Sequence, residues 1–320
     1  MRSRSESEAL TRLAAALVPG GRALSLRRLA GGIGARMHAL TVEAADGART
    51  RVALRRYVPG RGNHGSPEAA AREFRTLGLL AERGISAPKP LLLDLEGAYF
   101  DVPTIVESLV PGRTVVSPAE PGAWTRGLAA ALTSVHRLTP ANADLSHLNT
   151  FLRAGTQEEL GKGIAGHSTR SVDLSKNPLA LKAHEALVAA LPAVTWLEPC
   201  LVHDDYYPGN VMWSRGRVSG IVDWTTAEVG DRRADVAQCA LDLAMMHGLD
   251  VADRFVAAYE ALSGARLPDV DFWLLFRGLR AYGSYAAWLK GYHDLGLKHL
   301  TLDHLRSRVE AVLERSLGNL

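Results

Sequence analysis

Near the middle of this 320-residue chain, three oxygen-bearing side chains follow one another at spacings that suit metal and proton chemistry. The segment Leu201-Val202-His203-Asp204-Asp205-Tyr206-Tyr207-Pro208-Gly209-Asn210-Val211-Met212-Trp213 carries a carboxylate, Asp205, and then an amide, Asn210. A second carboxylate, Asp223, closes the apolar run Ile221-Val222-Asp223-Trp224. Such a set is able to hold Mg²⁺ and to take a proton from a hydroxyl. Magnesium takes oxygen ligands, few of them from protein, and completes its octahedron with phosphates and water. Phosphoryl transfer asks little more of a protein than a base and positive charge on the phosphates. The plainer alternative is that Asp and Asn cap turns, as they often do. A lone His-x-Asp would merit that reading; the joint spacing of all three residues favours chemistry.

The elements that must position these residues are readable from pattern. Two apolar runs, 210–213 and 218–222, flank the turn Ser214-Arg215-Gly216-Arg217. Pairing as a hairpin would return Asp223 to the neighbourhood of Asn210, with Asp205 on the loop feeding the first strand. Tyr206-Tyr207-Pro208-Gly209 excludes a helix interior there. Alternation predicts strands over 24–29, 37–43 and 51–57, an antiparallel meander. Ser66-Pro67-Glu68 is a helix start, with Ser as N-cap and Pro in the first turn, and Gly84 ends the helix. Short strands are expected over 91–94 and 104–109. Later residues read mainly as helix, over 124–138, 181–191, 233–246, 251–262, 271–289 and 302–317, with a polar Gly/Ser/Asn-rich stretch over 139–178 that reads as a long loop or an insertion. The expected fold class is therefore α+β: a small antiparallel-sheet lobe at 1–106, a hinge at 107–112, and a larger, mainly helical lobe at 113–320.

HDDYYPGNVMW, followed by GIVDWTTAEVGDRRADVA, resembles the aminoglycoside phosphotransferase/choline kinase family, which has a two-lobed protein-kinase-like fold. The resemblance runs in order over most of residues 25–290 and is close at the motifs. It implies that Asp205 is the base toward the acceptor hydroxyl, that Asn210 and Asp223 ligate Mg²⁺, and that His203 supports the catalytic loop. It also implies that Asp231 and Asp235 brace that loop. The family usually has Gly where this chain has Asp204, and the extra carboxylate is expected to face solvent.

The strand over 51–57 adds an independent line. Val52-Ala53-Leu54-Arg55 resembles the kinase pattern V-A-I-K, with Arg in place of Lys. Alternation puts Ala53 and Arg55 on one face. A small residue admits a flat base, and a cation two residues on can reach its phosphates. Arg56 is the rival for that role. Glu73 shares a helix stripe with Leu77 and Leu80, where a carboxylate needs a partner; Arg55 is the natural one, as in the strand-to-helix ion pair of kinases. The turn Gly31-Gly32-Ile33-Gly34 is placed to cover phosphates with backbone N–H groups. The lobe junction, with Glu107 and Leu109, is where kinases bind adenine through the backbone. For the acceptor, the candidates are Tyr206, Trp224, the 139–178 stretch and the aromatics Trp273, Tyr282, Tyr285 and Trp288. Glu228 and Asp242 could meet an amine, or simply lie on a solvated face.

Composition narrows the alternatives. Hydrophobic residues make up 47% of the chain, ordinary for a globular core, and no apolar run is long enough to span a bilayer. The N-terminus lacks the pattern of a secretory signal, and two cysteines, Cys200 and Cys239, make no disulfide framework. A cytoplasmic protein is expected, without nucleic-acid or membrane partners, since the net charge is only +3. Residues 1–106 hold 16 Lys and Arg against 10 Asp and Glu, a balance suited to a polyanionic ligand. Together these point to an ATP- and Mg²⁺-dependent phosphotransferase acting on a hydroxyl of a small molecule: aminoglycoside-like, amino-alcohol or sugar. The alternatives are a catalytically silent pseudokinase-like module, admitted by Arg55 and Asp204, and a metal phosphohydrolase built on His203 and Asp204 with His136 and His247. Acceptor identity, biological role and oligomeric state are not written in the sequence.

Overall fold

Period-two alternation on one strand organises the first of two units. In this computed structural model, which describes residues 6–29, 35–58, 65–150, 158, 161–166 and 172–320, five strands form one antiparallel sheet. They are β1 (Arg22–Arg28), β2 (Ala35–Glu43), β3 (Arg49–Tyr57), β4 (Pro90–Asp94) and β5 (Thr104–Ser108), in the order β1-β2-β3-β5-β4. Val52 and Leu54 of β3 pack with Leu40, Val42 and Val106 against Leu13 and Ala14 of helix α1 (Glu6–Leu17). Tyr57 and Ile105 lie on the opposite face, against Ala69 and Ala70 of α2 (Pro67–Glu82). The same alternation that greases the α1 face thus leaves Ala53, Arg55 and Tyr57 for the α2 face. Ser66 caps α2 by accepting the Ala69 N–H, with Pro67 in the first turn, and Gly84 follows its end with φ 68°.

Residues 219–226 belong to this unit despite their distance along the chain. The Ile221 N–H donates to the Ser86 carbonyl at 2.9 Å, and the Ser219 hydroxyl donates to the Pro111 carbonyl at 2.5 Å.

The second unit, Gly112–Val218 with Ala227–Leu320, is mainly helical. Its helices are α3 (Pro121–Val135), α4 (Pro178–Ala190), α5 (Arg233–His247), α6 (Leu249–Ser263), α7 (Val270–Tyr282), α8 (Tyr285–Asp294) and α9 (Leu302–Asn319). Residues 233–246 of α5 are buried on every side, which marks it as the central helix. It packs against α6, α7 and α9. The further short strands among the described residues are β6 (Arg113–Thr114), β7 (Asn149–Thr150), β8 (Cys200–Val202), β9 (Val211–Ser214), β10 (Arg217–Ile221), whose last three residues are counted with the first unit, and β11 (Glu228–Gly230). They form two three-stranded sheets, β10-β9-β6 and β7-β11-β8. The α+β architecture expected from the sequence, a small antiparallel sheet and a larger helical body, is the one observed.

Two expectations need correction. The helix read over 271–289 is two helices, because Gly283 ends α7 and Ser284 precedes α8. The stretch 139–178 is not a plain loop: it contains β7, helical residues 161–166 and a single 3₁₀ turn at Leu174–Lys176. Elements this short complete too few turns to show a period. Among the described residues no helix is long and apolar enough to cross a membrane.

Gly112 enters β6 with φ 104°, and a Cβ there would lie 2.0 Å from the Trp213 carbonyl oxygen. Gly112→Ala should therefore lower stability by about 1–3 kcal/mol in urea unfolding. Gly122→Ala, in α3 with open space around it, is the control and should be neutral or slightly stabilising.

Candidate functional site

In the first unit the α2 face of β3 carries a buried charge network. Arg55 Nε lies 3.3 Å from Glu73 Oε1, and its NH1 donates to Asp223 Oδ1 at 2.9 Å and to the Thr225 hydroxyl at 3.0 Å. The Thr225 hydroxyl lies 3.0 Å from Glu73 Oε2 and 3.1 Å from Asp223 Oδ1, a shared proton between two carboxylates. Tyr57 closes the ring by donating its hydroxyl to Glu73 Oε2. Asp223 reaches this position with φ 66°, a left-handed backbone that Asp adopts more readily than most residues. Arg56 points to the other face, pairing with Glu6 and stacking over Phe100, so it does not join the network.

Glu107 belongs to the same neighbourhood. It pairs in register with Ala53, and both are buried. Burial pushes its carboxyl up to about 8, Arg55 pulls it down, and Glu73 and Asp223 push it up again. Burial also opposes the Arg55 guanidinium, but Glu73 and Asp223 overcome that and hold its pKa well above the ordinary value. One guanidinium thus meets three carboxylates. Leu109 lies just past β5, half-buried. Gly31, Gly32 and Gly34 lie outside the described residues.

In the second unit a single buried carboxylate shapes the loop between β8 and β9. Asp235, in the first turn of α5, accepts the backbone N–H of His203 at 2.7 Å and of Asp204 at 2.8 Å. His136 Nε2 lies 3.1 Å from the same group, and His136 Nδ1 lies 2.7 Å from the Tyr259 hydroxyl. Burial would raise the Asp235 carboxyl, but these hydrogen bonds and imidazoles hold it below the ordinary range. The position at a helix N-terminus works the same way. The His203 ring then accepts the Asp205 N–H at 3.3 Å. Asn210, in the turn before β9, donates its amide to both the Asp205 carbonyl (2.9 Å) and the Asp205 carboxylate (3.0 Å). His203, Asp205 and Asn210 are therefore one connected constellation.

Several expectations change here. Asp204 does not face solvent: its Oδ1 lies 2.5 Å from Arg277 NH2. The backbone at Asp204 is left-handed, φ 60°, which suits the glycine of the family pattern. In this chain the side chain that replaces it reaches the fully buried Arg277 on α7 and supplies the counter-charge. Asp231 bonds Arg233 and the Leu197 N–H rather than the 203–210 loop. Tyr206 and Trp224 are buried, with their polar atoms on the Leu128 and Ile221 carbonyls, and Trp273 is core. Asp242 is not on a solvated face; it accepts hydrogen bonds from Tyr292 and Gln238, and burial raises its carboxyl to about 6. The sequence reading passed over Tyr57, Thr225 and Arg277, and it took His136 for a metal-ligand candidate where the structure has it on Asp235 and Tyr259. Tyr57 alone carried a signal, standing two residues beyond Arg55 on the same face.

The residues suit a hard divalent cation. Asn210 commits its amide nitrogen to Asp205, which leaves its oxygen as the donor, and Asp223 lies in a local network where the single guanidinium of Arg55 also meets Glu73. Among the described residues no group of three or more His, Cys, Asp or Glu is arranged to hold a metal. A cation bound at either residue, Asn210 or Asp223, would draw most of its ligands from phosphate and water, as Mg²⁺ does.

Residues 25–273 match the model of the phosphotransferase enzyme family, and the chain belongs to that family. Among curated proteins it is 25% identical over 296 residues to "Probable acyl-CoA dehydrogenase IBR3" of Arabidopsis thaliana, a match covering 80% of this chain and 35% of that one. It is 29% identical over 199 residues to viomycin phosphotransferase of Streptomyces vinaceus, covering 59% of this chain and 64% of the relative. The chain thus spans less than two thirds of the length of these relatives. Macrolide 2′-phosphotransferase MphH from Brachybacterium faecium shares its fold, with a TM-score of 0.62, 22% identity, and coverage of 96% of this chain and 98% of that one.

Because Asp235 is charged and bonded in the folded state, its stabilising contribution is present above about pH 4 and is lost as pH falls through its depressed folded value. Asp235→Asn should cost about 3 kcal/mol or more at pH 7, where one loop N–H loses its acceptor and His136 its partner. The gap between variant and wild type should narrow in urea unfolding at pH 3.

Proposed function

We propose that this chain is an ATP- and Mg²⁺-dependent phosphotransferase whose acceptor is a hydroxyl of a small molecule: aminoglycoside-like, amino-alcohol or sugar. The observation that carries this reading is the pair Asp205–Asn210, joined by hydrogen bonds from the Asn210 amide to the Asp205 carbonyl and carboxylate. Membership of the phosphotransferase enzyme family supports it.

In this reading Asp205 orients the acceptor hydroxyl and accepts its proton as the oxygen attacks the terminal phosphate. His203 steadies Asp205 through its backbone N–H. Asn210 and Asp223 would hold Mg²⁺, which when bound supplies positive charge to the phosphate oxygens. Arg55, oriented by Glu73, grips the phosphates; its planar fork suits that task. Ala53 leaves room for the base, Glu107 and Leu109 offer backbone groups to adenine, and Gly31, Gly32 and Gly34 cover the phosphates.

The metal phosphohydrolase reading loses ground, since His136 is engaged by Asp235 and Tyr259 and His203 by Asp205.

Purified protein should consume Mg-ATP in the presence of a suitable acceptor from a panel of aminoglycosides, macrolides, amino alcohols and amino sugars. Asp205→Asn should lower turnover by about 10²–10⁴-fold while nucleotide binding, read by calorimetry, persists. Turnover equal to wild type would refute the role given to Asp205. Asp223→Ala should abolish Mg²⁺-dependent ATP consumption; retained activity would put the metal elsewhere.

A further inference from the structure

Asp204 stands where the chain leaves β8 for Asp205, and its backbone is left-handed, φ 60°. A side chain there carries a strain that glycine would avoid, and such residues persist where their surroundings over-determine them. Two helices do so here. From α5, the Asp235 carboxylate accepts the Asp204 N–H at 2.8 Å. From α7, Arg277 NH2 lies 2.5 Å from Asp204 Oδ1. The Nε of the same guanidinium donates to the carbonyl of Ala234, the residue before Asp235, at 3.3 Å. These contacts close a ring. It runs from the Asp204 main chain to Asp235, along one peptide to Ala234, across to Arg277 and back to the Asp204 side chain.

The ring has a geometric consequence for Asp205. A residue held only by its N–H can pivot about its own Cα. With the N–H and the carboxylate of Asp204 both held, two of the three heavy substituents on its Cα are fixed. Tetrahedral geometry then fixes the third, the carbonyl carbon that leads into Asp205. The Asp205 N–H meets the His203 ring at 3.3 Å, and its carboxylate meets the Asn210 amide at 3.0 Å. Stability alone does not call for this device. Glycine suits the left-handed backbone, and an apolar side chain suits the fully buried site of Arg277, with no charge to compensate. A strained aspartate on a buried arginine therefore points to a role in the loop it holds.

We infer that Arg277 is a positioning residue for phosphoryl transfer: through Asp204 it fixes the direction in which the chain presents the Asp205 carboxylate. In this role it touches neither nucleotide nor acceptor. The inference rests on the phosphotransferase reading and adds to it a second anchor for the base, on α7, beside the one that Asp235 supplies from α5.

The test separates positioning from charge balance with a double variant. Asp204→Gly alone leaves the buried guanidinium without this carboxylate and should lower the thermal unfolding midpoint by about 5–10 °C. Adding Arg277→Met removes that charge and should bring the midpoint back close to wild type. With stability restored, the double variant should still differ from wild type in two ways. Exchange of the Asp204 and Asp205 amide hydrogens, read by NMR, should quicken about tenfold or more while α5 and α7 keep their protection. Turnover of Mg-ATP with an accepted hydroxyl compound should fall roughly ten- to hundredfold with KM for Mg-ATP unchanged. Wild-type turnover in the double variant would overturn the inference, and so would lost turnover with unchanged amide protection. Arg277→Lys covers the case in which the double variant stays unstable. It keeps a charge opposite Asp204 but lacks the planar fork that also reaches Ala234. Its midpoint should stay within a few degrees of wild type, by the measure of about 2–4 °C per kcal/mol, while turnover falls; unchanged turnover there would also overturn the inference. Wild type that transfers phosphate to no hydroxyl compound would remove the phosphotransferase reading itself, and this inference with it.

Discussion

The carboxylate of Asp235 is the constraint on which the loop from His203 to Asn210 depends. It sits inside a helix buried all round, where an uncompensated charge would be costly, and two backbone N–H groups and an imidazole compensate it. Those backbone groups belong to His203 and Asp204, so satisfying the charge and fixing the loop are one event. His203 passes the order on to Asp205, and Asn210 meets Asp205 from the other end of the loop. A carboxylate held through its own main chain has little freedom left to lose.

The smaller unit solves a different electrostatic problem. Arg55 lies in a sheet face that also carries Glu107 and faces Glu73 and Asp223. Burial pushes the Glu107 carboxyl up to about 8, so that near neutral pH it is largely protonated and Arg55 faces two charged carboxylates, Glu73 and Asp223. The remaining excess of negative charge is what a divalent cation would relieve. Thr225 and Tyr57 supply hydroxyl donors to these carboxylates.

How much of this was legible in the sequence depended on whether a feature is local. The β3 alternation and the Ser66-Pro67 start of α2 are local, and they placed Ala53, Arg55 and the helix carrying Glu73. The spacing of Asp205 and Asn210 is also local, and the loop brings them together. The partner of Asp204 was not legible, because Arg277 lies 73 residues away and nothing near Asp204 announces it. Nor was the packing of residues 219–226 with the sheet unit, which depends on a long-range contact with Ser86. Asp242 looked like a surface acid because helix α5 is buried on both its apolar and polar sides, so its period carries no directional signal. The break between α7 and α8 fell at a Gly-Ser pair inside an otherwise continuous pattern.

Arg277 and Asp204 form an ion pair at a left-handed backbone position. The left-handed backbone at Asp204 suits glycine; aspartate tolerates it and gains a buried arginine as partner. The central claim, phosphoryl transfer from ATP to a carbon-bound hydroxyl, is tested most directly by ³¹P NMR of the reaction with an accepted substrate. The account predicts ADP and a new phosphomonoester resonance coupled to the proton on the acceptor's hydroxyl-bearing carbon, both abolished by chelating Mg²⁺. Inorganic phosphate as the sole new product, or a phosphorus resonance coupled to no acceptor proton, would contradict it.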